Sequence, residues 1–267
     1  MLKDITLGQY FPGDSVVHKM DPRTKLIMVI LYIVALFLAN GFVGYGVMIA
    51  VTAAFIKLSK VPPKAMFRGL KSVVLIIVLT AVLNVFYTEG TVLVQIWKLK
   101  ITYEGIIRAV FMVLRIVMLI CGTFLLTYTT APVALTDGME LLLNPLKKLK
   151  VPVHEMSMMM SMALRFIPTL IEETDKIMSA QKARGADFET GSLIDRAKAL
   201  LPILVPLFIS AFRRAVELAI AMESRCYNGG AGRTRMKQLR FEARDYIALV
   251  FGVLLIVGMV ALQVVGL

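Results

Sequence analysis

From Leu26 to Ile56 the chain runs for 31 residues without a charged side chain. A bilayer core asks for about 20 consecutive apolar residues per helix, so the run has the character of membrane-spanning sequence but is too long for one upright span. Asn40-Gly41 and Gly44-x-Gly46 interrupt it near the middle. The pattern predicts a tight hairpin of two short spans, with one long tilted helix as the alternative. Ser72–Thr88 and Tyr246–Leu267 are further uncharged runs, and a fourth apolar segment extends from about Ile106 to Thr130. Composition agrees: 58% of the residues are hydrophobic, against about 45–50% in soluble domains.

The net charge of +12 is informative by position. Asp21 suits a helix cap and Pro22 a first helical position, which places Arg23 and Lys25 at the cytoplasmic headgroups. Lys57, Lys60, Lys64, Arg68 and Lys71, around Pro62-Pro63, read as a basic cytoplasmic loop, whereas Glu89, Lys98, Lys100 and Glu104 cancel and fit the outer side. Seventeen of the 30 Lys and Arg lie between Lys147 and Arg244. Five spans satisfy these counts, with the N-terminus cytoplasmic and the C-terminus outside. The basic balance is thus a topology signal and no sign of nucleic-acid binding. Lys3, Asp4 and Asp14 interrupt any signal-peptide core. Arg108 and Arg115 fall inside the fourth segment, where they either pair or snorkel structurally or serve transport.

Three parts follow: a membrane part over 1–130, a cytoplasmic region over 131–240, and a last membrane helix over 241–267. Pro132 opens the cytoplasmic region. Leu135–Leu143 is patterned as a short amphipathic helix closed by Asn144-Pro145, and Lys147, Lys148 and Lys150 can meet lipid phosphates. Two long amphipathic helices are then expected. The first runs from His154 to Ala183-Arg184-Gly185 and is about 46 Å long. Met156, Met158, Met159 and Met160 make its start adaptable to changing partners, or simply fill space, and Pro168 should kink it. The second runs from Ser192 to Ser224-Arg225-Cys226. Its uncharged run, Ala199–Phe212, is too short to span, and Asn228-Gly229-Gly230 ends it. Ala211, Ala215 and Ala219 form a small-residue ridge for close helix crossing. Arg213 and Arg214 are each placed to reach Glu217.

Resident chemistry is sparse. There is no Gly-x-x-x-x-Gly-Lys-Ser/Thr phosphate loop, no acid within the expected spans, and no ligand pair near His18 or His154. Cys121 and Cys226 face different environments, so no disulfide is expected. No cofactor or metal is expected, and no catalytic residue. What stands out is the pair of long helices, each ending on an arginine between small residues, 41 positions apart. One such end reads as a dipole-favouring cap. Two suggest exposed guanidinium heads that enter partner pockets and meet carboxylates bidentately.

At these residues the sequence resembles the T component of energy-coupling factor (ECF) transporters, vitamin importers related to ABC transporters. The matching stretches are Met20-Asp-Pro-Arg-Thr-Lys-Leu26, Pro145-Leu-Lys-Lys-Leu149, Ala163-Leu-Arg-Phe-Ile-Pro168, Ala180-Gln-Lys-Ala-Arg-Gly-Ala186, Ser210-Ala-Phe-Arg-Arg214 and Ala221-Met-Glu-Ser-Arg-Cys-Tyr227. The family's second head often reads Ala-Arg-Gly, where this chain has Ser224-Arg225-Cys226. The resemblance implies an all-α membrane protein with about five transmembrane helices and long cytoplasmic coupling helices, in a prokaryotic plasma membrane. It implies two ATP-binding partner subunits, one docking Ala183, Arg184 and Gly185 and the other Ser224, Arg225 and Cys226, with ATP bound by them alone. It also implies a membrane-embedded substrate-binding S component against the methionine and alanine surfaces, the two helices crossing near their middles. The rival readings are a self-sufficient channel or secondary transporter and a membrane enzyme. Neither has the midplane polar groups, repeat symmetry or acid cluster it would need.

Overall fold

The computed structural model describes residues 10–96, 99–188, 190, 192–230 and 238–265, and for 92–96, 99–101, 193 and 197 the backbone alone. Lys3, Asp4, Trp97, Lys98, residues 233–237 of the basic linker, and Gly266 and Leu267 of the final run lie outside the described residues. The helices are α1 (Pro22–Leu38), α2 (Gly41–Ser59), α3 (Pro63–Tyr87), α4 (Tyr103–Thr129), α5 (Pro132–Leu143), α6 (Val153–Ala183), α7 (Leu193–Glu223) and α8 (Ala243–Val265). A 3₁₀ helix, Asn144–Leu149, follows α5, and strands β1 (Val92–Ile96) and β2 (Leu99–Thr102) precede α4.

The long uncharged run folds as the expected hairpin. Asp21 caps α1 by accepting from the Arg23 N–H. The break falls at Ala39-Asn40, and Gly41 opens α2 at φ 63°, a conformation that favours glycine. Two segments differ from the sequence reading. Lys64, Arg68 and Lys71 belong to α3, which starts at Pro63, so the basic connection shrinks to Lys60-Val61-Pro62. The neutral loop holds an antiparallel hairpin with Val92 opposite Thr102 and Ile96 opposite Leu99. Val92, Val94, Ile96 and Ile101 favour strands. Thr102 then caps α4, accepting from the Gly105 N–H at 3.1 Å.

Among the described residues, five helices are long and apolar enough to cross a membrane: α2, α3, α4, α7 and α8. This set differs from the five spans expected. At 17 residues, α1 is slightly too short. In α7 the uncharged 14 residues are extended on both sides within a 31-residue helix.

The chain divides into two compact units. One takes the described residues from Met139 to Gln238, the other those up to Gly138 and from Leu239 onward. In the second unit α1 packs on α4 and α8, and α2 and α3 pack on α4. Tyr32, Ala35, Leu36, Tyr45, Met48, Met118 and Met259 form its main core. The Tyr32 hydroxyl donates to the Met118 carbonyl at 3.1 Å.

Two polar arrangements hold this bundle. At one end, Asp245 is 1% exposed and accepts from the N–H of Asp21 and of Glu242, both at 2.9 Å. Arg23 pairs with Asp21, donates to the Leu239 carbonyl and lies 4.0 Å from the centroid of the Phe241 ring. Lys25 is buried and donates to the Thr129 carbonyl at 2.8 Å. Arg23 and Lys25, assigned from the sequence to the headgroups, thus tie α1 to the start of α8 and the end of α4. In the other arrangement, Arg115 donates to the Ala39 carbonyl at 3.2 Å. That carbonyl sits at the non-helical turn between α1 and α2, in the middle of the uncharged run, and apolar surroundings leave such a backbone group in need of a protein partner. A pairing role for Arg115 follows.

Candidate functional site

The first unit contains α6 and α7, and the sequence dictates both. α6 runs unbroken through Pro168. α7 begins with a capping box, Ser192 accepting from the Asp195 N–H and Asp195 from the Ser192 N–H, and continues through Pro202 and Pro206. Two contacts fix their register. Arg214 donates to Glu173 at 2.7 Å, and the Tyr227 hydroxyl donates to Met158 Sδ at 3.2 Å. The later residue on one helix meets the earlier on the other, so the pair is antiparallel. Arg214, expected to reach Glu217 along its own helix, instead reaches across to α6.

The register places the two arginine ends symmetrically. Arg184 lies eleven residues beyond Glu173, and Arg225 eleven beyond Arg214. Each end is therefore about 16 Å along its helix from the shared ion pair, in opposite directions.

Both ends close by the same turn. At the first, the Gly185 N–H donates to the Lys182 carbonyl and the Ala186 N–H to the Gln181 carbonyl, both at 3.0 Å. Gly185 has φ 87°. At the second, the Cys226 N–H donates to the Glu223 carbonyl at 2.9 Å and the Tyr227 N–H to the Met222 carbonyl at 3.1 Å. Cys226 has φ 56°. Each is a Schellman motif with the arginine just before the left-handed residue. The missing glycine does not change the turn; Cys226 accepts the left-handed conformation at a cost of about 1–2 kcal/mol. Arg184 and Arg225 are both exposed. Around Gly185 nothing stands within 4 Å of where a Cβ would be, so that tip is also open.

The surroundings of the two heads differ. Arg225 borders a cleft of about 650 Å³ lined on the α6 side by Met158, Ser161, Met162, Arg165 and Phe166 and on the other by Leu218, Met222 and Tyr227. Ser224 and Cys226 are exposed beside it, and Ala183 is exposed beside Arg184. Met156, Met159 and Met160 are exposed at 50–59%, while Met158 turns toward Tyr227. The alanine ridge lies one row round from the residues facing α6: Ala215 and Ala219 are exposed and Ala211 half-buried. Around it, Phe208, Phe212, Val216 and Ile220 are more than half exposed. Sequence reading assigned no role to Glu173, Arg165 or Tyr227, although the last two lie in the matching stretches; the helix register brings them to the site. Among the described residues no group of three or more His, Cys, Asp or Glu could hold a metal. His154 instead pairs with Glu140 at 3.0 Å.

Residues 13–237 match a family model described as CbiQ, cobalt transport protein. Relatives named energy-coupling factor transporter transmembrane protein EcfT include that of Thermosediminibacter oceani, 56% identical over 257 residues and covering 96% of this chain and 97% of its own. The Clostridium kluyveri protein is 58% identical over 251 residues, covering 93% of each chain. That of Bacillus subtilis is 50% identical over 246 residues, covering 92% and 93%.

The chain belongs to the EcfT family.

EcfT-family chains are transmembrane components of transporters, a non-catalytic role in general. The family match takes in both arginine ends and stops short of α8. The multi-helical apolar bundle agrees with a membrane location.

Proposed function

We propose that this chain is the coupling subunit of an ECF transporter, passing the ATP-driven motion of two ATP-binding subunits to a membrane-embedded S component that takes up a vitamin or similar micronutrient. The observation that carries this reading is the pair of identical, exposed arginine turns at equal distances from one crossing ion pair. Arg184 enters one ATPase and Arg225 the other. When the ATPases close, the two heads move relative to each other, and equal arms pivoting on Glu173–Arg214 convert that motion into a change of crossing angle. The exposed apolar row of α7 and the methionines at the start of α6 pass it to the S component. ATP is held by the partner subunits. In this reading α1–α4 and α8 are the five crossings, which places the N-terminus in the prokaryotic cytoplasm and the C-terminus outside.

The test is copurification of the ATPases together with vitamin uptake. Removing one head of a buried charged pair costs about 2–5 kcal/mol. Arg184→Ala or Arg225→Ala alone should leave much of the complex assembled but depress uptake. The double substitution also removes the two-point attachment, and the ATPases should dissociate. Arg→Lys keeps the charge without the planar fork and should be intermediate. Normal assembly and uptake in the double variant would reduce the arginines to helix caps.

A further inference from the structure

We propose that Leu143–Lys150 is an interfacial anchor that binds the anionic phospholipid surface of the inner leaflet. The proposal rests on the reading that this region is cytoplasmic. Its basis is the 3₁₀ helix Asn144–Leu149, which replaces the loop that Asn144-Pro145 would otherwise start. In a 3₁₀ helix, residues three apart eclipse one another. Leu146 and Leu149 therefore stand in one row, and Leu143, at the end of α5, continues it. All three are exposed, at 44%, 38% and 76% for Leu143, Leu146 and Leu149. Lys147 stands in the adjacent row, and Lys147, Lys148 and Lys150 are all exposed. Lys150 closes the element at φ 62°, so its chain leaves the helix instead of extending it.

Three exposed leucines over about 12 Å, flanked by three lysines, match one kind of surface. No acidic residue occurs between Glu140 and Glu155 to neutralise the lysines. An acidic protein groove would satisfy the charge but has no general use for a leucine row one residue wide. A bilayer interface takes both, the leucines entering the acyl boundary and the ammonium groups meeting phosphates. The tether is short as well. Asn144 follows the end of α4, at Thr129, by fifteen residues, twelve of them in α5.

The test places a nitroxide at Leu149→Cys in a Cys121→Ser, Cys226→Ser background, with the full chain in lipid nanodiscs. Accessibility to oxygen is compared with accessibility to an aqueous nickel complex. In nanodiscs of phosphatidylcholine with phosphatidylglycerol, oxygen access should exceed nickel access. The ratio should fall severalfold in phosphatidylcholine alone and on Lys147→Gln, Lys148→Gln, Lys150→Gln. Greater nickel access in every lipid would overturn the proposal. Equal burial without phosphatidylglycerol would overturn its anionic part. Because the chain is measured alone, the result does not depend on the proposed ATPases. Repeating the measurement after adding them separates the two readings: a label in lipid without them but shielded from both probes with them would assign the surface to a subunit and overturn the anchor in the working complex.

Discussion

The two units solve the burial problem differently. The bundle of α1–α4 and α8 buries Leu36, Met48, Tyr128, Met259 and the charged Asp245 to 2% exposure or less. The unit with α6 and α7 buries little: among its described residues only Glu140, Val153, Ser157 and Ile203. On α7, Leu204, Phe208, Phe212, Val216 and Ile220 are more than half exposed. The bundle's exposed apolar groups suit lipid, and its buried charged groups Lys25 and Asp245 find partners within it. The lever pair has a crossing ion pair, two capped ends and a long uncovered apolar row. A helix with such a row is one half of a core. Under the proposed function, the bundle carries its stability within the chain and the lever pair gains its own from partners.

Five substitutions break or sharpen that contrast. Asp245→Ala removes a buried carboxylate that serves two backbone N–H groups beside Lys25 and Arg23. It should cost about 3–5 kcal/mol and sharply lower the thermal unfolding temperature of the detergent-solubilised chain. Leu36→Ala opens a cavity in the bundle core and should cost about 2–4 kcal/mol in the same assay. Phe208→Ala, on the open face of α7, should leave the isolated chain's stability within about 0.5 kcal/mol while weakening S-component capture. If both substitutions destabilise the isolated chain equally, the contrast between units fails. Glu173→Gln should cost about 0.5–1 kcal/mol, since the pair is partly exposed, and a double-mutant cycle with Arg214→Gln should show the coupling. The smallest effect belongs to Cys226→Gly. Relief of the left-handed strain, set against the greater freedom of glycine when unfolded, should leave stability higher by less than about 1 kcal/mol, with ATPase capture unchanged.

Much of this was legible in the sequence because it is local. The break at Asn40-Gly41, the cap at Asp21, the start of α7 at Ser192 and the end of α6 before Gly185 are each written within a few residues. Uncharged runs placed α1, α2, α4 and α8 to within a turn or two, but missed the length of α7 and the start of α3. There the basic residues that mark a cytoplasmic loop equally well decorate a helix projecting from the membrane. The rest is non-local. Asp21 and Asp245 meet from opposite ends of the chain, and no periodicity pairs them. Arg214 chooses Glu173 over Glu217 because helix register, a property of two surfaces, decides which carboxylate is near. Cys226 gives no sequence signal for a left-handed turn; only the hydrogen bonds from Cys226 and Tyr227 reveal that its end repeats that of Gly185.

The central claim is that the lever unit is completed by partners and the bundle is not. Amide hydrogen exchange, measured on the chain in nanodiscs with and without its copurifying ATPases and S component, tests it most directly. Exchange in α6, α7 and the two arginine turns should slow by at least tenfold in the complex, while α1 and α8 stay unchanged. Slow exchange in α7 of the isolated chain, with no further protection on assembly, would contradict the account.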